Sequence, residues 1–200
     1  MANQPKTAKQ EAILHAAAQL FARQGYAATS MAQIAAAAGI GKGTTYAYFA
    51  GKEDLLLKVF QWHYGRMEDK LNVSIAALGG TASQRLTAMN DAIMTSWTEF
   101  KDLFGLVMEF WVASTTPRIR SHFQEAFRGG YQHFRQVVAA LLEDGIARGE
   151  FDPTVDTKAL AAVMVGSWDA LLLQAWFDEG FDPLATSRVH MQVLLKGLAA

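Results

Sequence analysis

The stretch Thr29-Ser30-Met31-Ala32-Gln33-Ile34-Ala35, followed by Gly39-Ile40-Gly41 and then Lys42-Gly43-Thr44-Thr45-Tyr46, decides the fold. Ser30 with Gln33 three residues on has the capping-box form that opens a helix ahead of Ile34, Ala35 and Ala38. Gly39 ends that helix, because glycine enters the positive-φ turn at no steric cost. The run from Gly41 to Phe49 predicts a further helix, too short to persist except against its neighbours. Ala35 is small where the two helices must cross, and Ile40 plugs the core beneath their turn. Two short helices around a tight glycine turn make a helix-turn-helix unit.

Working outward, apolar residues recur at three and four nearly everywhere and period-2 alternation is scarce, so the class is all-α. Upstream, Ile13, Leu14, Ala17, Leu20 and Phe21 share one face of a first helix, with Gly25 after Arg23 as its left-handed stop. Downstream, Lys52 to about Leu78 reads as one long helix with Leu55, Leu56, Val59, Phe60 and Met67 on its early inner face, closed by Gly79-Gly80. Thr81 with Gln84 repeats the capping-box form. Thr116-Pro117 and Asp182-Pro183 each set a cap before a proline at the first helical position, and Asp156 caps the run from Thr157 to Phe177. The expectation is four helices, the last shared, and about five more: a DNA-reading domain over 1–52 and a helical effector-binding and dimerisation domain over 53–200.

The third helix of such a unit offers its N-terminal turn to a major groove, which makes Lys42 and Thr44 candidates to reach base edges. Tyr46, Tyr48 and Lys52 bring two phenols and a cation suited to phosphates, as do Thr29 or Ser30 at the start of the preceding helix. Charge agrees in sign. The net charge of −1 hides an asymmetry: Lys6, Lys9, Arg23, Lys42, Lys52, Lys58 and Arg66 face only Glu11, Glu53 and Asp54 in residues 1–66.

Ile34-Ala35, Ala38-Gly39-Ile40, Gly43-Thr44-Thr45-Tyr46, Phe49 and Lys52-Glu53-Asp54-Leu55, preceded by Leu20-Phe21 and Gly25-Tyr26, resemble the N-terminal signature of the tetracycline-repressor (TetR) family. The resemblance covers about Ile13 to Phe60. It implies a homodimeric repressor with a variable C-terminal ligand domain, in which Lys42, Gly43 and Thr44 approach bases and Thr29 or Ser30, Tyr46, Tyr48 and Lys52 approach phosphates. Three positions depart from the family pattern. Tyr48 stands where histidine is common, Ala47 replaces an aromatic, and Gly41 replaces a serine or alanine at the helix start; the last weakens the cap by a few tenths of a kcal/mol.

Other chemistries fit poorly. Gly39 to Thr45 invites a phosphate-loop reading, but Ala36 and Gly43 occupy the places where the Walker pattern needs glycine and a hydroxyl residue, and no strand precedes. His15, His63, His122, His133 and His190 never fall at metal-ligand spacing, and no cysteine is present, so neither a metal, a cofactor nor an enzyme is expected. With 51% hydrophobic and 18% charged residues, no apolar run read as a membrane span and no signal-peptide pattern, the expectation is a cytoplasmic protein without a membrane partner.

Beyond Gly80 the chain is rich in aromatic and methionine residues. Met89, Ile93, Trp97, Phe104, Met108, Trp111, Phe127, Tyr131 and Trp168, interspersed with Asn90, Glu109, His122 and Asp169, suit the walls of an apolar cavity with a few orienting polar groups. The family resemblance implies an effector there, small and apolar or aromatic. Thr157 to Phe177 is apolar nearly all round, which demands cover on both sides. Ala159, Ala162, Gly166 and Ala170 form a small-residue stripe; Leu160, Met164, Trp168, Leu171 and Ala175 form a bulky one. Leu184, Met191, Leu195 and Leu198 repeat the need in the last helix. A homodimer through these last two helices follows, one stripe on the partner and the other on the subunit's own core. The expected partner of the whole is a near-palindromic double-stranded operator; the rival reading is a helical binding module that no longer meets DNA.

Overall fold

A computed structural model describes residues 4–76, 79–100, 104–115 and 120–199, with side chains for all of these except 4–7, 67–76, 97–100 and 113–114. Thr116-Pro117 and the side chains of Met67 and Trp97 therefore lie outside the described residues. Nine helices are seen among them: α1 (Gln4–Ala28), α2 (Met31–Ala37), α3 (Lys42–Tyr48), α4 (Lys52–Ala76), α5 (Ala82–Phe100), α6 (Phe104–Thr115), α7 (Arg120–Ala147), α8 (Thr157–Phe177) and α9 (Pro183–Leu198). Their starts follow the local chemistry. Thr81 and Gln84 exchange hydrogen bonds at the head of α5 (3.0 and 3.1 Å), Asp156 accepts from the Lys158 and Ala159 amides, and Asp182 accepts from the Ala185 amide ahead of Pro183.

The chain forms two compact units, with borders within α4 and α7 and between α5 and α6. One comprises Met1–Arg66 with Lys101–Phe127, the other Met67–Phe100 with Arg128–Ala200. In the first, α1, α2, the head of α4, α6 and the first turns of α7 bury a common core that includes Ile13, Phe21, Ile34, Leu56, Phe110 and Phe123. Phe60 explains why α6 and α7 belong here. Its ring centroid lies 4.8 Å from that of Phe110, edge-on, and 4.7 Å from that of Phe127, so the aromatic residues of α4, α6 and α7 close one cluster.

In the second unit Leu86, Met89 and Met94 of α5, Val138 and Leu142 of α7, Met164 and Trp168 of α8 and Met191 of α9 are buried. A polar chain runs through this core. The Trp168 indole donates to Asn90 Oδ1 (3.1 Å), and the Asn90 amide donates to the Ser187 hydroxyl (3.0 Å), which donates to the Leu184 carbonyl (3.0 Å). Buried Asn90, Ser187 and Trp168 thus satisfy one another, and α5, α8 and α9 are fixed in register by them. Gly145 is obligatory for a different reason: a Cβ there would stand 2.2 Å from the buried Phe151 ring.

The α8 helix corrects one expectation. By length and composition it is apolar enough to cross a membrane (21 residues, mean hydropathy 1.4), although Lys158 and Asp169 interrupt it. Within its own unit Met164, Val165 and Trp168 face inward and are buried.

Candidate nucleic-acid interface

At the head of α2, Ser30 and Gln33 form the complete reciprocal box: the Ser30 amide donates to Gln33 Oε1 at 2.8 Å and the Gln33 amide to Ser30 Oγ at 3.3 Å. The helix leaves by a Schellman closure. Gly39, at φ +67, donates to the Ala36 carbonyl and Ile40 to the Ala35 carbonyl, at 3.1 and 3.0 Å. Gly41 then starts α3 with no side-chain cap, as its lack of a hydroxyl dictates.

The faces of α3 divide sharply. Thr45 and Phe49 point into the core (0% and 2% exposed), and Thr44 and Tyr48 are half-buried. Lys42, Gly43, Tyr46 and Ala47 are exposed, Tyr46 to 50%, and nothing lies within 4 Å of the place a Gly43 Cβ would take. One side of α3 therefore presents an ammonium, an open backbone and a phenol within two turns. These are groups of the kind that pair with base edges and phosphates. The Tyr48 ring is packed against the core of this unit.

Two expected phosphate ligands are placed otherwise. Thr29 is buried (1% exposed), and its hydroxyl donates to the Gly25 carbonyl at 2.8 Å while accepting from Gln24. Lys52 turns inward as well. Its ammonium donates to the carbonyls of Tyr26 (2.8 Å), Thr29 (2.9 Å) and Ala27 (3.4 Å) and sits 4.3 Å over the Tyr26 ring. A lysine has three protons to donate, and all three are engaged. Ser30 is exposed at the head of α2, although its hydroxyl also bonds Gln33 Oε1 (2.9 Å).

The regular first helix breaks at Gly25, where glycine takes a positive φ as expected (φ 81, ψ 159), and a further helical turn runs on to Ala28. The Tyr26 amide donates to Glu109 Oε1 of α6 at 3.0 Å. Nothing in the local sequence announces Glu109 as part of this region, because it lies 83 residues from its partner.

The expected effector-lining residues are divided. Phe104, Met108, Trp111 and Phe127 belong to the first unit, where Trp111 is 38% exposed; Met89, Ile93, Tyr131 and Trp168 belong to the second, where all but Tyr131 are buried. The one polar atom of Trp168 is satisfied by Asn90. Of the orienting groups, Asp169 accepts from the Tyr131 hydroxyl at 2.5 Å, and burial raises its carboxyl above the ordinary value against the lowering effect of that bond. His122 is exposed. No group of metal-ligating side chains occurs among the described residues.

Two family descriptions match this chain: bacterial regulatory proteins of the tetR family over residues 13–59, and the tetracyclin repressor-like C-terminal domain over residues 86–180, together more than half of its length. The chain belongs to the TetR family. Its bent α1, capped α2 and exposed α3 are thus the DNA-binding head of a TetR transcriptional regulator. A curated relative, the fatty acid metabolism regulator protein of Bacillus subtilis, is 24% identical over 200 residues, covering 96% of this chain and 97% of its own. Among solved structures, the fatty acid degradation regulator FadR of Bacillus halodurans is 27% identical with a TM-score of 0.78, covering 95% of this chain and 96% of its own. The transcriptional regulator FadR of Bacillus subtilis in complex with stearoyl-CoA is 24% identical with a TM-score of 0.73, covering 94% and 98%.

Proposed function

We propose that this TetR regulator is a cytoplasmic repressor that binds a near-palindromic operator as a homodimer and releases it when an apolar effector binds. The single observation that carries the DNA reading is the division of α3, with Lys42, Gly43 and Tyr46 outward and Thr45 and Phe49 inward. Lys42 and Thr44 read base edges, Gly43 allows close approach, and Tyr46, Tyr48 and Ser30 meet phosphates. Two such heads about 34 to 36 Å apart match successive major grooves.

Dimerisation through α8 and α9 is supported by what those helices leave uncovered. Ala159, Ala162, Gly166 and Ala170 are exposed on α8 with Val163 beside them at 63%, and Val189 and Val193 are exposed on α9 at 62% and 69%. The bulky stripe of α8 faces inward. An apolar face of this kind on two adjacent helices favours a four-helix seam with a second copy.

For the effector, Phe104, Met108 and Trp111 of α6 with Phe127 are the side chains we assign, and the relatives named for fatty acid regulation make a long-chain acyl thioester the first compound to try. Selection of bound duplexes from a random library with the purified protein tests the DNA reading; recovery of no preferred sequence overturns it. Stearoyl-CoA is then titrated with and without saturating operator. Linkage requires that each weaken the other by the same factor, and equal affinities in both conditions overturn the effector assignment.

A further inference from the structure

Gly25 adopts φ 81 and ψ 159, a backbone region open essentially to glycine alone. In an unbroken helix the Tyr26 amide would donate four residues back, to the Ala22 carbonyl. Bent at Gly25, it donates instead to Glu109 Oε1 at 3.0 Å. A Cβ on Gly25 would stand 3.2 Å from that same oxygen, so the bend and the carboxylate fit each other closely. The segment so held delivers the chain to Ser30, the cap of α2. Further bonds to the segment, among them those from Lys52 to Tyr26 and Thr29 and from Thr29 to Gly25, come from the head itself.

We propose that Glu109 is a positioning residue for operator binding: its carboxylate holds α1 in the bent form and thereby sets the attitude of α2 and α3. Two arrangements compete for the Tyr26 amide. In one it is given to Glu109 and the chain turns at Gly25; in the other it is given to the Ala22 carbonyl, and α1 straightens and carries Ser30 with it. Only the first has been built into a head whose α3 face is presented as described above. Glu109 itself contacts neither base nor phosphate and acts through the Tyr26 amide. The proposal rests on the DNA-binding reading, and the experiment separates the two.

The operator duplex is the one recovered from the random library by the wild-type protein, so failure of wild type to bind any duplex is failure of the DNA reading and not of this inference. Against that duplex, Glu109→Ala lowers affinity about tenfold, the factor for loss of one hydrogen bond to a charged group. Glu109→Gln, which keeps an acceptor at the same reach, stays within about threefold of wild type on the same grounds. Faster hydrogen exchange at the Tyr26 amide in Glu109→Ala reports the broken bond directly, a signal that a general packing defect would spread over the whole of α1. Should Glu109→Ala fail to fold, Glu109→Asp, one methylene short of the amide, shows the same loss. Wild-type affinity in Glu109→Ala or Glu109→Asp overturns the proposal, and so does a Glu109→Gln variant as weak as Glu109→Ala, because charge and not the hydrogen bond would then be at work.

Discussion

The Lys52 ammonium lies 2.8 Å from the Tyr26 carbonyl oxygen and 4.3 Å from the centroid of the same residue's ring, so the first side chain of α4 clasps the end of α1. A lysine that neutralises a phosphate and a lysine that ties two helices together both weaken DNA binding when removed, but they differ in salt dependence. Lys52→Met should cost about 1 to 2 kcal/mol of folding stability through the lost charge-assisted bonds. Operator affinity should fall while the slope of log K against log salt stays unchanged. Loss of a true phosphate contact lowers that slope by about 0.9, and a change of that size in Lys52→Met would return Lys52 to the interface.

Lys42 and Tyr46 share the exposed side of α3 and are expected to fail in different ways. Lys42→Ala should relax preference at one base pair by about 1 to 3 kcal/mol, as expected when a guanine edge loses its donor. Tyr46→Phe removes only a hydroxyl at the backbone and should weaken operator and random duplex alike. Measuring both variants on operator, on single-base variants of it and on random DNA decides the matter. A wild-type profile for both would remove α3 from the reading surface.

Much of the head is legible in the sequence because its signals are local. Ser30 and Gln33 are three residues apart, Gly39 closes its helix within one turn, and Asp156 and Asp182 cap amides two or three residues away. Lys52 and Glu109 escape such a reading because their partners lie 23 to 83 residues away, and Thr29 escapes it although its partners Gly25 and Gln24 are near in sequence: a threonine or lysine beside a recognition unit looks the same in sequence whether its polar atoms face DNA or a carbonyl. Trp168 shows the same limit in the second unit. An aromatic ring with one donor suits a ligand wall or a core, and only the placement of Asn90 and Ser187 across α5 and α9 satisfies that donor internally.

Gly166 lies on the outer face of α8, and a Cβ built there meets no heavy atom within 4 Å of its own protomer. A large side chain at this position should therefore leave the subunit fold intact and disturb only what docks against it. Gly166→Trp should sediment as a monomer with an unchanged circular dichroism spectrum. Operator affinity should fall by about a hundredfold or more, because the second half-site is no longer delivered at high effective concentration. A dimer of wild-type stability would move the seam away from the small-residue stripe.

His63 of α4 provides a test in pH. Burial, and secondarily the nearby positive charge of Arg66, lower its pKa from 6.5 to about 4. Above the ordinary value the imidazole is neutral in both folded and unfolded chains and contributes nothing to pH dependence. Between 6.5 and about 4 the unfolded chain takes up a proton that the folded chain refuses, so stability falls as the solution is acidified through that window and the loss is complete near the lower value. One pKa unit corresponds to about 1.4 kcal/mol; allowing for the side chain's partial contact with solvent, the loss between about pH 7 and about pH 5 should be about 1 to 2 kcal/mol. His63→Gln has no proton to take up and should lose correspondingly less over the same interval, while every other titrating group contributes equally to both proteins. Urea unfolding of the two proteins at each pH measures the difference. Equal losses in wild type and His63→Gln would show that the imidazole titrates alike in the folded and unfolded chains, and the acid sensitivity of the regulator would then have to originate in a group other than His63 and other than the Asp169 carboxyl, whose raised pKa acts in the opposite direction and stabilises the fold as pH falls.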